Sequence, residues 1–165
     1  MSSSQPTETA LLQPITPPSD EPSTATATTA TPQKRRLLTL TVCGYKKPGL
    51  SEEEYEAYMK KKHWRFVKEL MIKYGVIRWT HSYNTTETRG MMAKLYDSQF
   101  ANVADYDCFS TSVFESVEGL VAMKEDPYYQ DFIKDDHEQF ADTKNTRITI
   151  GWFEEYITDG KVVET

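Results

Sequence analysis

The chain contains only two cysteines among its 165 residues, and Cys43 and Cys108 lie far apart. They form neither a Cys-x-x-Cys pair nor a cysteine–histidine cluster with zinc spacing, so no disulfide scaffold or zinc site is indicated. The histidines are also few and dispersed, at His63, His81 and His137, and their spacing requires no metal. We therefore expect two buried thiols in a reducing compartment, and no bound metal.

Other absences exclude whole classes of function. No stretch approaches the roughly 20 apolar residues that a membrane span needs, and the N-terminus lacks the apolar region of a secretory signal. The net charge is −6 without a basic stripe, which argues against nucleic-acid binding. Glycine-rich phosphate loops, dinucleotide fingerprints and Gly-x-Ser-x-Gly elbows are missing as well. We expect a cytoplasmic protein that acts on a small molecule without a cofactor and has no membrane or nucleic-acid partner.

The composition divides the chain into a tail and one domain. Residues 1–33 are dominated by Ser, Thr, Pro and Ala without hydrophobic periodicity, which predicts a disordered tail. The tail is acidic and has no basic residue before Lys34, so an organelle transit peptide is not supported. The folded domain is expected over residues 34–160.

Periodicity predicts alternating strands and helices in that domain. Residues 37–43 alternate apolar and polar side chains, as a strand does. Ser51 and Glu54 form a capping-box pattern, so a helix should run from there to Tyr74, with Gly75 at the left-handed cap. Further strands are expected over residues 76–83, 105–113 and 147–156, and a loop over 84–90. A second helix is expected over 114–124, with Val117, Leu120 and Val121 facing inward. A third helix is expected over 128–136, after Asp126-Pro127. Residues 91–96 fit either a short helix or an irregular segment.

This order of elements predicts the ferredoxin-like split βαβ fold of the α+β class, a four-stranded antiparallel sheet with helices on one face. Trp79, Phe109 and Trp152 cannot all lie under the helices. An exposed apolar surface of that size usually marks an interface. We expect a homodimer in which two sheets meet and enclose a pocket.

His63 has the most informative position of any residue in the first helix. At 100° per residue it lies in the middle of an apolar stripe, formed by Tyr55, Met59, Phe66, Leu70 and Tyr74. The pKa of an imidazole in such a setting is easily moved, so the ring can exchange a proton near neutral pH. The alternative is a core histidine that makes one hydrogen bond.

Several segments resemble the EthD domain family, and they cover nearly all of the chain outside the tail. The matching stretches are Gly44-Tyr-Lys-Lys-Pro-Gly-Leu-Ser-Glu-Glu-Glu-Tyr55, the helical His63, Leu95-Tyr-Asp97, Asp105-Tyr-Asp-Cys108, Asp136-His-Glu-Gln-Phe-Ala-Asp-Thr143 and Gly151-Trp-Phe-Glu-Glu155. They are most similar to a fungal subgroup found with aromatic polyketide pathways. Relatives commonly continue Ala-Pro after the helical histidine, whereas this chain has Trp64-Arg65.

The resemblance implies a dimeric α/β barrel and a cofactor-free lyase of secondary metabolism. Its substrate would be an aromatic polyketide, and the preferred reaction is decarboxylation of an anthracenone- or anthrone-type carboxylic acid. Dehydration of a hydroxylated polyketide ring is the second choice. A cofactor-free anthrone-type monooxygenase and a non-catalytic pathway subunit remain open.

The candidate residues for this chemistry are three histidines and five other side chains. His63 is the first choice for proton transfer, and His137 is second because a helix C-terminus favours a charged imidazole that could hold a carboxylate. His81 would act only if its side of the strand faces the pocket. The candidates for substrate binding are Tyr45, Tyr58, Trp79, Tyr83 and Asp107.

Overall fold

The computed structural model describes residues 36–95 and 102–164. The predicted disordered tail, residues 1–33, lies outside this part of the chain. So does Tyr96, the last residue of the segment for which the sequence left two alternatives.

A four-stranded antiparallel sheet forms the centre of the domain. Its strands are β1 (Leu37–Gly44), β2 (Val76–Tyr83), β3 (Cys108–Phe114) and β4 (Arg147–Phe153). Their order in the sheet is β2-β3-β1-β4. A separate two-stranded hairpin follows, with β5 (Ile157–Thr158) and β6 (Lys161–Val162). The order and direction of the four main strands confirm the predicted ferredoxin-like fold.

The helices fill the connections between the strands. They are α1 (Glu52–Tyr58), a π-helical turn (Met59–His63), α2 (Trp64–Lys73), α3 (Thr86–Met91), a 3₁₀ turn (Met92–Lys94), α4 (Val117–Glu125), a second π-helical turn (Tyr129–Ile133) and α5 (His137–Phe140). Ser51 and Glu54 make the predicted capping box at the start of α1. Gly75, with φ of +83°, ends the helix after Tyr74 as expected.

The predicted loop over 84–90 is wrong, because α3 begins at Thr86. The Thr85 side chain accepts a hydrogen bond from the Thr88 amide and caps the helix. Glu52 of α1 also accepts hydrogen bonds from the Thr86 amide and hydroxyl. A threonine cap and a carboxylate supplied from a distant helix therefore stabilise a turn that has no apolar periodicity.

Several other element bounds differ from the prediction. The helix predicted over 114–124 begins at Val117, because Phe114 is the last residue of β3. β3 starts at Cys108 rather than Asp105, since the preceding residue, Asp107, binds the Lys46 amide and Arg89 instead of extending the strand. β4 ends at Phe153, and the helix predicted over 128–136 is replaced by the second π-helical turn and the short α5. The Asp126 cap itself is present, because its carboxylate accepts from the Tyr128 amide at 2.8 Å.

The core lies between the sheet and the helices. One cluster packs α1, the first π-helical turn and α5 against the start of β3 through Tyr55, Met59, Cys108 and Phe140. The other packs α2 against the second π-helical turn through Val67, Leu70, Met71 and Ile133. Val117 and Val121 of α4 are 41% and 49% exposed, so their predicted inward orientation is wrong.

The helices of the described residues leave β4 uncovered. The strand register places Ile148, Ile150 and Trp152 on the same sheet face as Val42, the face that the helices cover elsewhere. These three side chains are nevertheless 68%, 50% and 56% exposed. Within the described residues, no helix is long and apolar enough to cross a membrane.

Candidate active site

A cavity of about 180 Å³ lies between the sheet and the helices of a single chain. Its walls are largely apolar and carry a few polar groups, as small-molecule sites usually do. The lining residues are Val42, Gly44, Tyr55, Met59, His63, Trp79, His81, Cys108, Ser110, His137, Phe140, Ala141, Thr143 and Thr146. The sequence predicted a pocket enclosed between the sheets of two protomers. This cavity instead lies within one chain, between its single sheet and the helices that cover it.

His63 reaches the cavity from the last position of the first π-helical turn. In a π-turn the backbone hydrogen bonds join residues five positions apart, one more than in an α-helix. Such turns are frequent at functional sites. The ring is buried, with 4% exposure, and its Nδ1 lies 2.8 Å from Oδ2 of Asp136. The alternative reading, a core histidine with one hydrogen bond, describes this contact, but the ring also lines the cavity.

Asp136 is the residue that the sequence reasoning missed. Its Oδ2 faces His63, and its Oδ1 accepts a hydrogen bond from the Tyr58 hydroxyl at 2.5 Å. The carboxylate is itself buried, at 8% exposure. Tyr58, which the sequence predicts to bind substrate, thus donates to the carboxylate that binds His63.

Burial lowers the pKa of His63, and the nearby His137 lowers it further, while the Asp136 carboxylate partly opposes both effects. The ring is therefore neutral at neutral pH. Because a carboxylate can only accept, we assign the proton to Nδ1 and the lone pair to Nε2. Within residues 36–95 and 102–164 no group bonds to Nε2, which leaves that nitrogen for a ligand.

His137 also lines the cavity, with its ring centroid 5.2 Å from that of His63. It is the first residue of α5, so its predicted place at a helix C-terminus is wrong. Its Nδ1 lies 3.4 Å from the Lys134 carbonyl, at the end of the second π-helical turn. The cavity thus contains two neighbouring imidazoles, and within the described part of the chain a carboxylate binds the His63 ring but not the His137 ring.

His81 lies on the opposite wall, on the sheet, in a chain of hydrogen bonds. The indole Nε1 of Trp79 donates to Ser110 Oγ at 2.9 Å, and Ser110 Oγ lies 3.2 Å from His81 Nε2. His81 Nδ1 in turn lies 3.4 Å from Cys108 Sγ. Since an indole can only donate, the serine hydroxyl is left to donate to Nε2. Burial lowers the pKa of His81 to about 4, so this ring is neutral at neutral pH. Both of its nitrogens are engaged by the contacts with Ser110 and Cys108.

The other predicted residues lie outside the cavity. Tyr83 faces an adjoining outer cleft of about 330 Å³. Tyr45 donates a hydrogen bond to Asp105, and Asp107 binds the Lys46 amide and Arg89, so neither contributes to the cavity wall. The structure therefore brings His63, His81, His137 and Trp79 together and separates them from Tyr45 and Asp107.

The described part of the chain contains no group of three or more His, Cys, Asp or Glu side chains placed to hold a metal ion. The three histidines approach one another, but each is arranged for a different partner: a carboxylate, a serine–cysteine pair or a backbone carbonyl.

Residues 47–144 match the EthD domain. The decarboxylase claH of Passalora fulva is 50% identical over 148 residues, which cover 86% of this chain and 96% of that protein. The dehydratase aurZ of Gibberella zeae is 44% identical over 149 residues, covering 90% of this chain and 98% of that protein. A dimeric ferredoxin-like protein of unknown function from Thermobifida fusca is 6% identical, with a TM-score of 0.47, over 73% of this chain and 93% of its own.

Proposed function

The chain belongs to the EthD domain family, and from this premise we propose that it is a cofactor-free lyase that removes carbon dioxide from an aromatic polyketide carboxylic acid. The observation that carries the proposal is the buried His63–Asp136 pair. The His63 ring lines an apolar cavity, and its Nε2 has no hydrogen-bond partner among the described residues. Decarboxylase and dehydratase relatives that match most of the chain support the choice of a lyase.

The proposed reaction moves one proton through His63. The substrate binds as the protonated acid, because the apolar cavity disfavours a free carboxylate. Nε2 accepts the carboxyl proton, and the carbon–carboxylate bond then breaks to release carbon dioxide. The bonding electrons pass into the neighbouring carbonyl to give an enolate, so the substrate itself is the electron sink. The imidazolium returns the proton to the enolate carbon, and atoms and charge balance.

Asp136 supports both halves of this cycle. Its carboxylate keeps Nε2 free by binding Nδ1–H, and it stabilises the imidazolium that forms after proton uptake. We assign His137 to the substrate carboxylate or enolate oxygen, because its ring lies on the same wall as His63. His81 has both ring nitrogens engaged, so we assign it to positioning rather than to proton transfer.

Dehydration is the second candidate, and the aurZ relative favours it. The same histidine would remove the proton next to a carbonyl and return it to the departing hydroxyl group. The two reactions require the same base in the same place and differ only in the bond that breaks.

We further propose that the chain works as a homodimer. The exposed apolar side chains of β4, Ile148, Ile150 and Trp152, support a partner surface there.

A mass-resolved assay with an anthracenone-type carboxylic acid tests the function. We expect wild-type protein to release carbon dioxide and His63→Ala to be slower by roughly 10²-fold or more, the scale of general acid–base catalysis. Loss of water instead would identify the dehydratase, and oxygen consumption a monooxygenase.

Lys61→Ala is the matched control, because Lys61 is exposed in the same π-helical turn. It should retain wild-type activity. Turnover that is unchanged in a folded His63→Ala protein would contradict the proposed base, and no turnover by wild type would support a non-catalytic pathway subunit.

A further inference from the structure

Next to the cavity is the outer cleft, lined by Met59, Lys60, Trp64, Trp79, His81 and Tyr83. Met59, Trp79 and His81 also line the cavity, so the two hollows share one wall. A ligand whose reacting carbon lies at His63 would extend past these shared residues toward the cleft. The proton-transfer chemistry described above makes no use of this second hollow.

Four aromatic side chains line the cleft as a row of neighbouring rings. The Trp64 and Trp79 rings are stacked, with centroids 6.1 Å apart and an interplanar angle of 27°. The His81 and Tyr83 rings are also stacked, at 5.9 Å and 24°. Planar rings bind well against such faces, because offset stacking adds to the burial of apolar area.

Trp64 is the exposed member of this group. Its side chain is 47% exposed, although it stands one residue after His63 in the helix. Trp79, by contrast, is half-buried and is fixed by its hydrogen bond to Ser110. Lys68 Nζ lies 5.6 Å from the centroid of the Trp64 ring, but this lysine is a long, part-exposed side chain that a ligand can displace. A ligand ring can then stack on the exposed indole beside the fixed one.

The charged residue of the cleft is already paired. Lys60 forms an ion pair with Glu56 and lies over the Tyr83 ring, 5.5 Å from its centroid. It is therefore poorly placed to hold a substrate carboxylate, which is better served by the imidazoles of the inner cavity. The chemistry of the cleft suits a neutral aromatic ring.

We propose that the outer cleft is a second subsite that takes a ring of the substrate remote from the reacting carbon, and that Trp64 selects for fused polycyclic substrates over single-ring acids. This inference rests on the proposed function for the identity of the reacting end. The cleft itself recognises any flat, uncharged aromatic ring connected to a group in the cavity.

Isothermal titration calorimetry with two non-reacting probes tests the subsite without relying on turnover. The probes are 1,8-dihydroxyanthraquinone, which has three fused rings, and salicylate, which has one. We expect Trp64→Ala to weaken binding of the three-ring probe by about 3- to 10-fold and to leave salicylate unchanged. Trp64→Phe should restore most of the loss, since it keeps an aromatic face.

The control is Ile72→Ala on the same helix, because Ile72 is 69% exposed and lines neither hollow. With the polycyclic acid as substrate, Trp64→Ala should raise KM and preserve kcat. If Trp64→Ala weakened the binding of both probes equally, or left the binding of the three-ring probe unchanged, the subsite would be overturned. His63-dependent turnover would be unaffected by that result. Absence of turnover by wild type, with probe binding still sensitive to Trp64, would overturn the reaction but leave the subsite.

Discussion

At the scale of single residues, the cavity separates three histidines into three roles by their hydrogen-bond partners. His63 faces a carboxylate, and His81 lies between a serine and a thiol. Among the described residues, the hydrogen-bond partner of His137 is a backbone carbonyl at 3.4 Å. These partners suit His63 to act as a base, hold His81 in place as a neutral ring of the cavity wall, and leave His137 available to a ligand. The chemistry proposed for the site depends more on these partners than on the histidines alone.

The pH dependence of kcat, which concerns the complex with the protonated substrate acid, should report the state of His63. Only the neutral ring accepts a proton, and burial lowers its pKa from 6.5, so activity should fall on the acid side with a midpoint below pH 6.5. Asp136→Asn removes the charge that opposes this shift. We therefore expect its midpoint to move further toward acid, together with a loss of roughly 10²-fold or more in rate.

The Asp136→Asn profile is measured from steady-state rates between pH 4 and pH 8, with circular dichroism to verify the fold at each pH. Lys61→Ala again serves as control. A midpoint and a rate that both match wild type would mean that Asp136 does not act through His63.

Sequence reasoning found His63 but not Asp136, and the physical reason is distance along the chain. An apolar stripe with one polar member is a local pattern, so it identifies His63 from its own helix. The bond to Asp136 joins residues 73 positions apart, and it forms only because α5 packs beside the first π-helical turn. Tyr58 was placed in the site for its hydroxyl, and its carboxylate partner could not be seen from the pattern.

At the scale of helices and strands, one close approach ties α4 to the end of α2. A β-carbon added to Gly119 would lie 2.5 Å from the Tyr74 carbonyl oxygen, which is backbone and cannot easily move. Glycine at this position therefore lets the two helices pack in contact.

Gly119→Ala should accordingly destabilise the fold by about 1–3 kcal/mol, the usual cost of overpacking. Gly90→Ala in α3 is the matched control, since nothing lies within 4 Å of its added β-carbon and alanine favours helix. Urea unfolding of both variants measures the difference. Equal stability of the two variants would show that α4 can shift away from Tyr74 without cost.

Element boundaries are predicted well where local sequence signals are strong. They are predicted poorly where the boundary depends on tertiary contacts. β2 matched over all of residues 76–83, and the Ser51 cap fixed the start of α1. The α3 helix was missed because part of its stabilisation comes from Glu52, which is remote in sequence. The two π-helical turns have no recognised sequence signature, so a regular helix was expected in both places.

At the scale of the whole molecule, the uncovered strand β4 leads to a prediction about assembly. Trp152→Glu places a charge among the exposed apolar side chains of the strand and should convert a homodimer to a monomer. Sedimentation velocity at micromolar concentration measures this, with Lys161→Ala as control because Lys161 is exposed on the separate hairpin. Wild-type protein that sediments as a monomer would contradict the proposed dimer.

The tail leads to a second prediction at this scale. Deletion of residues 1–33 should leave activity and the melting temperature unchanged, because the cavity is built from residues 42–146. The comparison is between full-length and truncated protein in the same mass-resolved assay. A large loss of turnover would mean that the tail contributes to the site.

Because of the first π-helical turn, the orientation of α1 relative to α2 depends on the number of residues in the turn and not on their side chains. Removing one of the three consecutive lysines, Lys60 to Lys62, would restore regular winding and rotate α1 by about 100° relative to α2. Tyr55 and Met59 would then leave the cavity wall. Substituting the same lysines would leave the winding intact. This stretch should therefore tolerate many exchanges of residue over evolutionary time but no insertion or deletion.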